Sequence, residues 1–443
     1  MRVQLSDHFT YRRLFRFVLP SVAMMIFTSI YSVVDGVFVS NFVGKIAFAA
    51  VNFIMPVLMM CGALGFMMGA GGSALVSMLL GEGKRERANC VFSLLVYVTV
   101  CAGIVLTSLG FCFMPKIVRL LGADGLLAGH AVLYGRIVIS VGTVFMVQNV
   151  FQSFLIVAEK PTMGLVLTVS AGLTNIVLDA VFVGWLGFGL RGAAFVTFIA
   201  QCVGGIIPLV YFLLPNKTNL RLGKTHFDVC ALAKAVANGS SELVTNIAMS
   251  FVSMLYNAQL IRIAGESGIA AYGALMYVSF IFAASFVGYG SGTAPVVSYH
   301  YGAQNLAELQ NLFKKDVTVV AVSGIAFALL SYFLAAPLAR LFGGYDEELF
   351  VLIRRACTLY SLTYLFCGFN IVGSSFFTAL NNGFASALIS FARTFVFQTA
   401  SVLTLPLFFA LDGIWLSAAT SELLSFTVVV VCVVVCRRRY GYA

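Results

Sequence analysis

Charge is what this chain has least of. Asp, Glu, Lys and Arg make up 10% of its 443 residues, while 60% are hydrophobic. A soluble domain of this length needs far more polar surface to show to water. Four histidines, His8, His130, His226 and His300, lie far apart. The sequence has no HExxH and no GxSxG, which argues against zinc and serine hydrolases. It has no GxxxxGK[ST], so no built-in nucleotide motor. Ten cysteines form no CxxC and no Cys/His cluster; they read as small apolar packing residues, not as disulfides or metal ligands. Strict apolar–polar alternation is missing too, which argues against a membrane barrel. No enzymatic constellation and no bound cofactor are expected.

Long apolar stretches are plentiful, and the mean hydropathy is +0.99. Phe17–Gly44 holds a single charged residue, Asp35. At 1.5 Å per residue, about 28 residues cross a hydrocarbon core of roughly 30 Å. Charge punctuation divides the whole chain into twelve such spans, at 14–42, 47–80, 89–114, 131–158, 162–187, 192–214, 235–261, 269–300, 317–339, 350–380, 384–410 and 413–436. The expected fold is an all-α polytopic membrane protein, with the basic first residues kept as part of an anchor rather than a cleaved signal. The net charge of +10 sits in short loops, so it reads as topology, with the lipid bilayer and not nucleic acid as partner. With both termini on one side, the loops there hold about twice as many Lys and Arg as the opposite ones. That puts both termini in the cytoplasm of a prokaryote, across its plasma (inner) membrane. A monomer is expected.

The polar run 215–234 falls at the midpoint, which predicts six-span lobes at 1–214 and 235–443 joined by a cytoplasmic linker. At an offset of 221 residues Gly44 meets Gly265, Gly69 meets Gly290, Ser77 meets Ser298 and Gly81 meets Gly302. Loops coincide as well: MLLGEGKRERAN with HYGAQNLAELQ, and VAEKPTMG with TALNNGFA. Six spans is an even number, so the halves point the same way. This is a parallel pseudo-two-fold repeat, as in alternating-access carriers.

Five ionisable residues lie well inside the spans: Asp35, Asp179, Glu242, Arg393 and Glu422. Such residues face a bundle interior or a cavity and often mark an ion path. Tyr31 precedes Asp35 by one turn, as Asn175 precedes Asp179, so each pair shares a helix face. The two carboxylates with these neighbours could hold Na⁺ (Asp35, Asp179 and Asn175 as oxygen ligands) or share a proton. A capping or packing role is the alternative. At the repeat offset Asp35 meets Tyr256 and Asp179 meets Ala400, so the scaffold is duplicated and the acids are not. Glu242 reads either as a carboxylate at a helix start, behind Ser240 and Ser241, or as a cation-attracting acid. Arg393 and Glu422 are expected to neutralise one another. Met24, Met25, Met55, Met59, Met60, Met67 and Met68 in the first two spans, together with many aromatics, would suit varied apolar or lipophilic cationic ligands.

Several stretches, in this order and spacing, resemble the multidrug and toxic compound extrusion (MATE) transporters, in the bacterial branch that includes MepA. They are VDGVFVSNFVGKIAFAAVNFIMPV, GAGGSALVSMLLGEGKRERAN, the VAEKP turn, TNIVLDAVFV and ELVTNIAMSFVSMLYN. The resemblance implies two six-helix lobes in a V, and export of drugs and organic cations in exchange for Na⁺ or H⁺. It implies ion coupling at Tyr31, Asp35, Asn175 and Asp179, joined by a polar residue on the fourth helix, Asn149 or Gln148. Glu242, Gln148, Tyr256, Asn257, Asn370 and Arg393 complete the candidate substrate-binding or second-lobe polar residues. A flippase for lipid-linked sugars, from a related superfamily, is the main rival; it should carry a strongly cationic cleft, and Arg393 is the only basic residue well inside a span.

Overall fold

The computed structural model describes residues 3–38, 42–343 and 346–442, which are helical almost throughout. The first three spans are Tyr11–Phe38, Lys45–Gly81 and Arg85–Leu120. The fourth is broken into Gly125–Ile139 and Gly142–Val157, bent by 53°. The fifth, Pro161–Asp179, runs on as a π-turn, Ala180–Trp185, and the sixth is Gly189–Leu213. Val229–Gly302 is helical except at Gly265, where a kink separates the seventh span from the eighth. The ninth is Leu306–Gly343. The tenth consists of Glu347–Tyr360, the 3₁₀ turn Ser361–Thr363, and Tyr364–Ala379. The rest, 383–440, contains a π-turn at Ala392–Phe397 and breaks at Ala410, giving the eleventh and twelfth spans. Twelve spans are thus present among the described residues; the end of the first one, 39–41, lies outside them.

Several helices overrun the boundaries that charge suggests. The ninth begins at Leu306 rather than 317, the seventh at Val229 rather than 235, and the third runs to Leu120. Charge ends an apolar run, but Lys, Glu and Asp still form helix where the chain enters the headgroup layer. The seventh span opens on Asp228, whose carboxylate accepts the Ala231 N–H at 3.0 Å and caps it. That bond, ahead of the Arg87 charge nearby, holds the Asp228 carboxyl below the usual carboxylate range.

Two seams reveal the axis between the halves. A Cβ on Gly81 would sit 2.0 Å from the Tyr299 carbonyl oxygen, and one on Gly302 would sit 2.1 Å from that of Met78. Gly81 and Gly302 are equivalent at the 221 offset, and so are Met78 and Tyr299. Each contact is therefore the image of the other, as across a two-fold interface. Further along, Gly71 abuts Gly239, and the image contact joins Gly292 to Val18. Only glycine permits helices this close.

The left-handed positions repeat in the same way. Gly44 and Gly265, Gly83 and Gln304, and Gly189 and Ala410 are all at positive φ and 221 residues apart; Glu159 and Asn381 are 222 apart. The core is also shared. A single buried cluster joins Leu5, Phe9, Phe17 and Ile156 of the first half to Tyr289, Val296 and Phe376 of the second. Both termini lie on one face, because the Phe9 N–H reaches Glu308 and the Gln310 amide donates to the Gly441 carbonyl.

Candidate functional site

Gly172 sets the first–fifth span contact. Its missing side chain admits the Phe27 and Tyr31 rings, to which a Cβ would come within 2.5 and 3.1 Å. From there Phe27, Tyr31 and Asp35 run down one face of the first span, opposite Gly172, Asn175 and Asp179 on the fifth. Tyr31, Asp35 and Asn175 line a cavity of about 120 Å³, with Met55, Leu58 and Met59 of the second span. The broken fourth span wraps round it through Tyr134, Val138, Ile139, Gly142 and Phe145, while Thr197 and Gln201 close it from the sixth. Asp179 is 0% exposed, beside Asp35, whose carboxylate lies within hydrogen-bonding reach of Asp179 and of Asn175.

No donor among the described residues reaches either Asp179 oxygen, Asp35 Oδ1 or Asn175 Oδ1. Buried acceptors of this kind are costly unless filled. Two carboxylates side by side away from water also repel unless a cation or proton lies between them. Oxygen ligands of this set fit a hard cation. The π-turn starts directly after Asp179; such turns are frequent at functional sites.

The second lobe contains the image of this cavity, about 210 Å³ in volume. At the 221 offset, Asp35 becomes Tyr256, Met55 becomes Met276, Leu58 becomes Ser279, Ile139 becomes Tyr360, Gly142 becomes Thr363 and Gln201 becomes Glu422; all of these line the two cavities. The architecture is kept and the chemistry changed. Tyr256 stacks on Tyr272 at 5.1 Å and hydrogen bonds to Ser417 at 2.8 Å. Arg393, in the second π-turn, pairs with Glu422 at 2.8 Å. Asn370 donates to the Glu422 carboxylate at 2.5 Å.

Other candidates lie elsewhere. Glu242 is well inside the helix that Asp228 caps, so its reading as an acid at the helix start is corrected: Ser240 Oγ bonds back to the Ala237 carbonyl instead. Glu242 is part-buried within electrostatic reach of Arg393 but does not line the second cavity. Asn257 is exposed and does not line it either. Gln148 packs on Gly204, and the backbone of Asn149 on Gly69; neither side chain lines the acid cavity. Tyr134, Thr197, Gln201, Tyr272 and Tyr360 are among the lining residues that the sequence did not single out. At the repeat offset Tyr360 meets Ile139, which lines the first cavity, but Tyr272 meets Val51, which does not, so no signal in the sequence brings both to the site.

The MatE family model matches residues 20–181 and again residues 243–404. The chain belongs to the MatE family. The two matches begin and end 223 residues apart, close to the offset seen in the seams. The multidrug export protein MepA of Staphylococcus haemolyticus (strain JCSC1435) is 21% identical over 91% of this chain and 88% of its own. MepA of Staphylococcus aureus (strain MW2) is 22% identical over 70% of this chain and 69% of its own. A MATE protein crystallised in complex with MaL6 superposes with a TM-score of 0.91 at 22% identity, covering 98% of this chain and 97% of that one. An outward-facing multidrug resistance MATE family transporter of the MOP superfamily gives 0.87 at 21%, covering 97% and 95%. At these identities the structures share this MatE protein's fold.

Proposed function

We propose that this chain is a secondary-active exporter of amphipathic, often cationic compounds, exchanged for Na⁺ or H⁺ by alternating access. The observation that carries the reading is the set of buried oxygens without a donor among the described residues, on Asp35 and Asn175 at one cavity and on Asp179 beside Asp35. A cation or proton entering there discharges the acids, and its departure restores them. The name of the staphylococcal relatives, multidrug export protein, supports the same direction of transport. The tyrosine-lined second cavity, with Arg393 tied to Glu422, offers stacking surface for the cargo. Glu242 adds a negative charge near it. The lysine and arginine bias supports cytoplasmic termini, so lobes sealed on that face leave the cleft facing outwards. A lipid-linked-sugar flippase fits less well: the one basic residue deep in a span, Arg393, is already engaged by a carboxylate.

Asp35→Asn keeps the shape and removes the charge. In a drug-sensitive host it should abolish resistance while the protein still inserts in the membrane. In proteoliposomes, Na⁺ and pH gradients imposed separately should show which ion drives efflux, and the variant should respond to neither. Full resistance from Asp35→Asn would rule the mechanism out.

A further inference from the structure

The stretch before the first span does more than lead into it. Leu5 is 1% exposed and Phe9 0%, although they flank polar, surface-lying residues. The Leu5 N–H donates to Glu159 Oε1 at 3.0 Å, on the turn between the fourth and fifth spans of the first lobe. The Phe9 N–H donates to Glu308 Oε1 at 2.9 Å, in the first turn of the ninth span of the second lobe. His8 Nδ1 meets the other oxygen of Glu308 at 2.5 Å. Asn311 ties the Phe9 carbonyl to Glu308 by donating to both, at 3.1 and 2.8 Å. The Phe9 ring rests edge-on against His300 of the eighth span, 6.3 Å away.

Glu159 also stands at φ 59, a left-handed position where its repeat equivalent is Asn381. Asn tolerates that conformation far better than Glu. A carboxylate kept at a strained position has a use, and here it receives the Leu5 N–H. Behind these contacts lies a polar chamber of about 250 Å³, walled by Gln4 and Ser6, by Glu159, by Lys217–Asn219 of the midpoint loop and by Tyr299 of the eighth span. Tyr299 is also the residue whose carbonyl closes on Gly81 at the seam.

We propose that residues 4–9 are a latch: they tie the two lobes together on the face that carries both termini, and they must let go before the cleft can open there. The proposal rests on the alternating-access reading above. The buried side chains and the two charge-assisted backbone bonds hold the latch. The half-exposed His8–Glu308 pair adds little by itself. Release needs only Leu5 and Phe9 to leave their sockets, with no covalent step and no helix unwinding.

Hydrogen–deuterium exchange of the full chain in nanodiscs tests this. Glu159→Ala removes the anchor on the first lobe, and Phe9→Ser removes the plug in the second, so the test survives if one variant fails to fold. Each should speed exchange at least about tenfold, Glu159→Ala through one lost bond to a charged acceptor and Phe9→Ser through the emptied ring socket, in residues 3–10 and also in seam segments 74–81 and 295–302. Faster exchange confined to 3–10 would overturn the proposal, because the segment would then be a docked tail that holds nothing else. Wild-type proteoliposomes that show no ion-driven efflux would instead sink the transport reading, and the exchange result would stand apart from it.

Discussion

Asp179 and Arg393 show how differently one membrane interior can treat two ionisable side chains, one buried and one part-buried. Asp179 has no exposed surface and receives no donor among the described residues. Arg393 is gripped by both oxygens of Glu422, with a sulfur contact to Cys367. The first arrangement is open to a visitor and the second is complete. Breaking the complete one should be expensive: Arg393→Met leaves Glu422 unpaired and should cost about 3–5 kcal/mol, whereas Arg393→Met with Glu422→Leu should recover most of that. Thermal unfolding in detergent measures both. Single and double variants of equal stability would mean that the pair carries no net weight. Asp35, Asp179 and their i, i−4 neighbours were legible in the sequence because a lone acid in a long apolar run stands out. Tyr134, Thr197 and Gln201 were not, because they are ordinary residues that become neighbours of Asp35 only when the fourth and sixth spans pack around it.

At the level of whole helices, the breaks matter more than the lengths. The fourth span bends by 53° just before Gly142 and the tenth tightens to a 3₁₀ turn at Ser361–Thr363, and residues on or beside each irregularity line one of the two cavities. The breaks at Gly265 and Ala410 separate the seventh span from the eighth and the eleventh from the twelfth. Gly265 adopts φ 60 at no steric expense, but Ala410 does so at φ 46 with a Cβ in the way. Ala410→Gly should therefore stabilise the protein by about 1–2 kcal/mol, and Gly265→Ala should destabilise it by a similar amount. Opposite shifts in the midpoint of thermal unfolding check the pair; no shift in either would show that the breaks are unstrained. The twelve spans could be read from hydropathy, and their ends could not. Asp316 shows why. Charge at 314–316 marks it as loop, yet it is 4% exposed inside the ninth helix, where Tyr289 donates to it at 2.8 Å.

Across the molecule, the repeat is more exact in contacts than in residues. Few identities survive between the halves, but seams, left-handed turns, bends and cavity walls recur at one spacing. The loops and scattered glycines hinted at this; the paired contacts were out of reach, since nothing in a sequence says which glycine faces which carbonyl. Gly81→Val and Gly302→Val each put a side chain where a carbonyl oxygen now lies within about 2 Å of the Cβ position. Both should lower the unfolding temperature and by comparable amounts, while Gly129→Ala, with open space around it, should be neutral or gain up to about 1 kcal/mol. A large loss from only one of the two valine variants would show that the seams bear unequal load.

Because Gly81–Tyr299 and Gly302–Met78 are one contact made twice, injury to either has a twin. A side chain grown on either glycine pries apart one leaf of a hinge whose other leaf is intact, and because both partners are main-chain oxygens nothing opposite can be trimmed to make room. Revertants selected from a growth screen should accordingly restore a glycine at the lesion itself, and none should map to its counterpart in the opposite half of the polypeptide.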